Sequence, residues 1–418
     1  MKKLFLKMQE NFLLKKTIYI NICIFLCLYV FSLPSFSGRA YFQYISYILM
    51  AIYIALTFSY IFLYSHFEFK WPLLIIPIFV LWALIGTIIY SHEFRSWLTL
   101  FLLTITFITF YYSFIAIHNI RLVLKLLVLA FAIFSIYFII HYYEDIFSKD
   151  LLSGSLDRLG DFYDNVNTIG SYMSFGCALC LYFVLFPKKK IEIMYVVPLI
   201  IFILIGFFTG SRAFVVIFLF LILFYLFIKF KNHKSIFFIC LAGLIITFLI
   251  LINLPFMSTI KNRFLVIIQT LTESGTTSDE SFVTRFLWQV YGFELAAKQQ
   301  IFGFGVNGFS IVSGIGTYTH GNLSEVMCNF GVIGFLFFYF AIIYPIFKLK
   351  EKNKTISFVV YAFLCMFILE SFLIVFYADK TTYLIFGIIY YIFLKEDNCY
   401  STVNIEQREM NDLYELEV

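Results

Sequence analysis

Long apolar runs separated by short polar breaks dominate this chain, and about twelve windows of roughly 17–25 apolar residues have the length an α-helix needs to cross a bilayer core. They fall at 17–33, 41–64, 71–90, 97–117, 121–143, 166–187, 191–208, 212–228, 235–253, 324–347, 356–377 and 381–394. The pattern predicts an all-α fold, a polytopic transmembrane helical bundle. With no internal repeat and no linker, it reads as a single integral membrane domain over residues 1–418. The basic start MKKLFLKMQENFLLKK resembles the front of a signal peptide. Because so many spans follow, we read it as leading into an uncleaved first helix.

Two polar stretches break the rhythm, at 144–165 and at 254–323. In the longer one, Ser278-Asp279-Glu280 has the form of a helix cap with acidic first-turn residues, and Phe282, Phe286, Val290 and Phe293 follow at helical spacing. This predicts a helix over 279–298 lying on the outer membrane surface, inside a long extracytoplasmic loop of short helices. Arg285, Trp288 and Gln289 then come close together near one side of it.

Composition supports the same class. The chain is 62% hydrophobic and 13% charged, with a mean hydropathy of +0.92, which excludes an ordinary soluble domain. Aromatic residues reach 22%, and Tyr41, Tyr44, Trp71, Trp97, Tyr142 and Tyr143 fall near predicted span ends, where amphipathic rings anchor at the headgroups. The net charge of +5 does not indicate a nucleic-acid partner, because the lysines sort by loop instead of clustering on one face. All cysteines but Cys399 lie in apolar runs, so Cys177 and Cys180 read as packing residues with no metal or redox role.

Charge also sets an orientation. With the N-terminus cytoplasmic, 20 of the 30 lysines and arginines fall on that side, Lys70, Arg121, Lys125 and Lys188 to Lys190 among them. The C-terminus is then cytoplasmic as well, and the expected location is a bacterial plasma or inner membrane. Six of the ten outer charges are arginine, including Arg158, Arg212 and Arg285, and a planar guanidinium suits phosphate or carboxylate recognition.

Candidate chemistry gathers on the outer side. Thr209-Gly210-Ser211-Arg212 lies between two apolar runs: Gly210 permits a sharp turn, Ser211 caps the next helix, and that helix N-terminus beside Arg212 suits an anion. Gly303 to Gly334 is a glycine-bearing segment that carries Thr319-His320-Gly321-Asn322 and Glu325 into an apolar helix. Its glycines would let backbone approach a substrate, His320, at an ordinary pKa of about 6.5, would serve as base or orient an acceptor, and Glu325 would hold His320. Against these stand plainer roles: an interfacial arginine, a structural histidine, or a lid helix without chemistry. Asp157, Asp161 and Asp164 are spaced along a short loop and do not form a compact metal pair, so no metal or other cofactor is expected. Glu370 lies deep in a run, where a carboxyl either couples protons or locks helices together.

Taken together, the Gly210-Ser211-Arg212 turn, Arg158-x-Gly160 with Asn167, Arg285 with Trp288, and Gly303-x-Gly305 followed by Thr319-His320-x-Asn322-x-x-Glu325 and Gly331-x-x-Gly334 resemble the O-antigen ligase and polymerase family of bacterial membrane glycosyltransferases. The resemblance covers about the C-terminal two thirds. The chain departs from it at Gly321, where many members carry Asn.

The resemblance implies an enzyme that polymerises undecaprenyl-pyrophosphate-linked oligosaccharide repeat units of O-antigen, capsule or exopolysaccharide at the outer face. Arg158, Arg212 and Arg285 would clamp the diphosphate, His320 would act in the transfer, and Asn167, Ser211, Trp288, Asn322 and Glu325 would bind substrate. Flippase and chain-length regulator proteins are the implied partners, besides the bilayer. A ligase with another acceptor fits the same residues. A transporter of lipid-linked sugars would explain the span count, but it would place its polar groups at mid-depth and show repeated halves.

Overall fold

A computed structural model describes residues 2–35, 40–64, 69–146, 166–251, 280–349 and 354–394, with 253, 261, 262 and 265. Those residues contain helices and no strand. In chain order the helices are α1 (Lys2–Ser35), α2 (Ala40–Tyr64), α3 (Ile75–Gly86), α4 (Phe94–Ile117), α5 (Ile120–His141), α6 (Val166–Leu185), α7 (Val196–Phe208), α8 (Arg212–Phe230), α9 (Lys234–Leu251), α10 (Glu280–Lys298), α11 (Gly308–Ser313), α12 (Asn322–Ile343), α13 (Lys354–Leu373) and α14 (Lys380–Leu394).

Each apolar window of the sequence holds a helix, although the one expected over 356–377 ends at Leu373. Ten helices among the described residues are long and apolar enough to cross a membrane. The two others expected to span, α9 and α14, carry shorter apolar segments, Lys234–Thr247 and Lys380–Leu394. At about 1.5 Å per residue, the fifteen residues of α14 reach roughly 22 Å, short of a core of about 30 Å. α14 instead lies inside the bundle, buried from Thr381 to Phe393. Its Gly387 lets Phe110 of α4 approach, and Tyr390 packs edge-on to Phe107 at 5.4 Å.

α6 is the other central helix, buried on nearly all sides. At one end of it, Arg121 bonds the Phe186 carbonyl at 2.7 Å and Tyr182 Oη at 3.1 Å, and pairs with buried Glu192, which also takes Lys125 at 2.9 Å. Lys188 to Lys190 lie at the same end, and Lys70 bonds the last carbonyl of α14 at 3.0 Å. So Arg121, Lys125 and Lys188 to Lys190 stand at one end of α6, and Asn167 stands at its opposite end.

The helix predicted over 279–298 exists as α10, and the structure adds what it packs against. It runs alongside α12 in a constant register: Trp288 stacks on His320, Gln289 lies against Gly321, Gly292 against Ser324, and the Gln300 carbonyl accepts from Val332 N at 2.7 Å. Each pair is separated by 32 residues. The packed face carries Gly292, Leu295 and Ala296, while Phe286, Val290 and Phe293 point away from the bundle. Helical periodicity located the helix but could not say which face would pack.

α12 is itself broken at Gly331, which has φ 65° and ψ −172°. Carbonyls freed by the break must find donors if they are away from water. Cys328 O accepts from Phe304 N at 3.0 Å, Asn329 O from Gly305 N at 2.7 Å, and Phe330 O from Trp82 Nε1 at 2.9 Å. Gly303 and Gly331 are required for this: a Cβ at Gly303 would lie 2.4 Å from Phe330 N, and one at Gly331 would lie 2.3 Å from the Ile301 carbonyl. The glycines of Gly303-x-Gly305 therefore bring backbone against α12 and α3, where the sequence reading had them approaching a substrate.

Candidate active site

The first arm of the site is the turn before α8. Thr209 Oγ1 donates to the Gly206 carbonyl at 2.7 Å, Gly210 takes φ 59°, and Ser211 caps α8 by accepting from Phe214 N at 3.4 Å. Ser211 Oγ then donates to Asn167 Oδ1 at 3.1 Å, so two residues singled out in the sequence form one unit joining α6 to α8. A Cβ at Gly170 would stand 2.9 Å from that of Ser211, which shows how closely the helices approach. Ser211 is buried. Arg212 is the first residue of α8 and only half-buried, at a helix N-terminus that favours anions.

The second arm is the loop that enters α12. Thr319 Oγ1 donates to the Gly321 carbonyl at 2.9 Å and accepts from Ser324 Oγ at 2.9 Å, while Thr319 N donates to Glu325 Oε2 at 2.7 Å. This mesh holds His320 at φ 64°, a left-handed conformation that costs a non-glycine residue on the order of 1–3 kcal/mol. The imidazole stacks on Trp288 at 5.4 Å and 14°, with the Tyr318 ring 4.3 Å away. Gly321 admits α10 here, because a Cβ would meet the Gln289 amide at 2.7 Å.

Burial pushes the His320 pKa down, and the nearby Arg285 guanidinium adds to the shift, to about 4. The ordinary value of about 6.5 used in the sequence reading is thereby corrected. His320 is neutral near pH 7 and offers a lone pair to a hydroxyl. Being a weak base, it suits a reaction in which a good leaving group carries most of the charge change.

Two expected roles are redirected by the geometry. Glu325 does not hold His320: it is buried, and its oxygens accept from Thr319 N and from Asn329 Nδ2 at 2.8 Å. Asn322 was expected to bind substrate, but it is fully buried with both ends of its amide engaged. Its Oδ1 accepts from Phe376 N and Tyr377 N at 3.0 Å each, and its Nδ2 donates to Tyr339 Oη at 3.0 Å. Asn322 N also donates to the Ile374 carbonyl at 3.1 Å. Residues passed over in the sequence complete this mesh. Asn329 accepts from Phe309 N at 2.9 Å and contacts Tyr377 Oη at 3.3 Å; its position four residues after Glu325, on one helix face, is the signal that could have found it.

Arg285, Trp288 and His320 are thus brought together, as are Asn167, Ser211 and Arg212, and α13 touches helices of both arms. Glu370 of α13 is buried and accepts a hydrogen bond from Ser171 Oγ of α6, the interhelical lock of the two roles considered for it. Arg158, Asp157, Asp161 and Asp164 lie outside the described residues. Among the described residues, no three His, Cys, Asp or Glu side chains gather as a metal site would require.

No curated protein matches the chain. A family model described as O-antigen ligase matches residues 197–339, from α7 through most of α12, and so takes in Arg212, Arg285, Trp288, His320, Asn322 and Glu325 but not Asn167. Members of that family are membrane glycosyltransferase-like enzymes that act on lipid-linked sugars. Residues 197–339 of this multi-pass helical chain are thus similar to the O-antigen ligase family, which is consistent with the O-antigen ligase and polymerase family that the sequence motifs resemble.

Proposed function

We propose that this protein polymerises undecaprenyl-pyrophosphate-linked oligosaccharide repeat units, moving the growing chain from its lipid diphosphate to a hydroxyl of the next lipid-linked unit. The observation that carries the reading is the neutral His320 imidazole stacked on Trp288 beside Arg285. In the transfer, the bond from the reducing-end sugar carbon to the diphosphate oxygen breaks and its electron pair leaves with the lipid diphosphate. The acceptor oxygen bonds that carbon, and its proton passes to the His320 lone pair and on to water. Arg212 at the α8 N-terminus and Arg285, with Arg158, neutralise the departing diphosphate. Asn167 and Ser211 fix the Arg212 turn, Trp288 fixes the imidazole, and Asn322 and Glu325 hold the loop. Reconstitution of the full chain with a lipid-linked repeat unit as sole substrate tests this. A ladder of longer lipid-linked chains is the expected result, and transfer only to a second, different acceptor would make the protein a ligase instead.

The site end is proposed to face away from the cytoplasm, with both termini inside and 254–323 outside the spans, in one membrane domain. The support is the clustering of Arg121, Lys125 and Lys188 to Lys190 at the other end of α6. A cysteine placed at Ile315, which is 37% exposed, should react with an impermeant maleimide added to intact cells. Reaction only after lysis would invert the orientation.

A further inference from the structure

The two arms of the site belong to different helix pairs, and a chain of buried contacts joins them through α13. On α6, Ser171 stands one turn below Asn167, whose side chain accepts from the Ser211 hydroxyl next to Arg212. On α13, Glu370 stands one turn below Ile374: Glu370 O accepts from Ile374 N at 2.9 Å, and Ile374 O accepts from Asn322 N, two residues after His320. Ser171 Oγ donates to Glu370 Oε1 between these two turns, with both residues buried. A second route leaves the neighbouring Ser371, which accepts from Tyr339 Oη at 3.1 Å, and Tyr339 in turn accepts from Asn322 Nδ2.

We propose that Glu370 is a positioning residue for the transfer reaction, fixing through Ser171 the separation between the Arg212 turn and the His320 loop. The proposal rests on the polymerase reading of the site. Its physical content is that a hydrogen bond between α6 and α13 holds the Arg212 turn and the arm of His320 and Arg285 in one geometry. Small misplacements of reacting groups cost large factors in rate while leaving the binding contacts in place. Glu370 touches neither substrate nor the reacting atoms. Its carboxyl acts as an acceptor for the serine hydroxyl, a task an amide oxygen also performs.

The test measures kcat and KM per folded molecule for the full chain in vesicles, with Glu370→Gln, Glu370→Leu, Ser171→Ala and the Ser171→Ala/Glu370→Leu pair. Glu370→Leu should lower kcat about 10-fold or more with KM changed less than about 2-fold. Glu370→Gln should keep most of the activity. Ser171→Ala should shift kcat the same way as Glu370→Leu, and the pair should be no worse than Glu370→Leu alone, because both remove one bond. Wild-type kcat in Glu370→Leu, equal losses in Gln and Leu, or multiplied losses in the pair would each overturn the proposal. If Glu370→Leu does not insert, Ser171→Ala and Glu370→Gln decide by the same criteria. Spin labels at Phe208 and Ile315 give a readout without turnover: their distance distribution should broaden in Ser171→Ala, and an unchanged distribution would overturn the proposal. If the wild-type protein makes no polymer, the polymerase reading fails, and this distance measurement still decides whether Glu370 joins the arms.

Discussion

His320→Gln is expected to bind the lipid-linked substrate while losing roughly 10²-fold or more in turnover, the scale for removing a group that handles the proton in the transfer step. Gln retains a hydrogen-bonding group against Trp288 but cannot accept a proton at working pH. The pH profile sharpens the prediction. With its pKa lowered to about 4 by burial and by Arg285, His320 is unprotonated from pH 5 upward. The wild-type rate should therefore stay level between about pH 5 and 8 as far as this group is concerned, and fall as pH drops through about 4. An unperturbed histidine would place that fall near 6.5. Near-normal turnover of the Gln variant, at matched amount and insertion, would remove His320 from the mechanism and leave the arginines to carry it. A fall centred near 6.5 in the wild type would instead show the ring to be solvated in the working enzyme.

Arg212→Lys is expected to lower turnover on the order of 10²-fold while insertion and folding persist, the loss typical of removing one stabiliser of developing negative charge. The turn survives because Gly210 keeps its φ, Ser211 keeps its cap on Phe214 N, and Asn167 keeps its bond to Ser211. Lysine preserves the charge at the helix N-terminus but replaces the planar fork, which can bind two diphosphate oxygens at once, by a point donor. Wild-type turnover in this variant would reduce Arg212 to an interfacial anchor. A loss confined to KM would make it a binding contact that is no stronger in the transition state.

Much of the fold was legible because membrane helices announce themselves locally. The apolar windows from 17–33 to 381–394 all hold helices, and the Ser211 cap and Gly210 turn appeared where short-range chemistry placed them. The α10 helix was found from periodicity, but its orientation along α12 was not, since the stripe of Phe286, Val290 and Phe293 looks the same whether it packs or faces outward. Gly303 and Gly331 were read as freedom near a substrate. In the fold they are the places where a loop joins a broken helix, something no local pattern specifies.

The sequence by itself determined where the long apolar helices run, the cap and turn before α8, and the residue types that the site offers: Arg212, Arg285, Trp288 and His320. Those follow from length, hydropathy and short-range capping, which act over a few residues. Only the tertiary structure decided that Asn322 clamps Phe376 and Tyr377, that Glu325 serves the Thr319 backbone and not His320, and that Glu370 meets Ser171. Hydrogen-bond partners lying 54 and 199 residues apart are set by which helices pack together, and the proton affinity of His320 is set by the water that this packing removes.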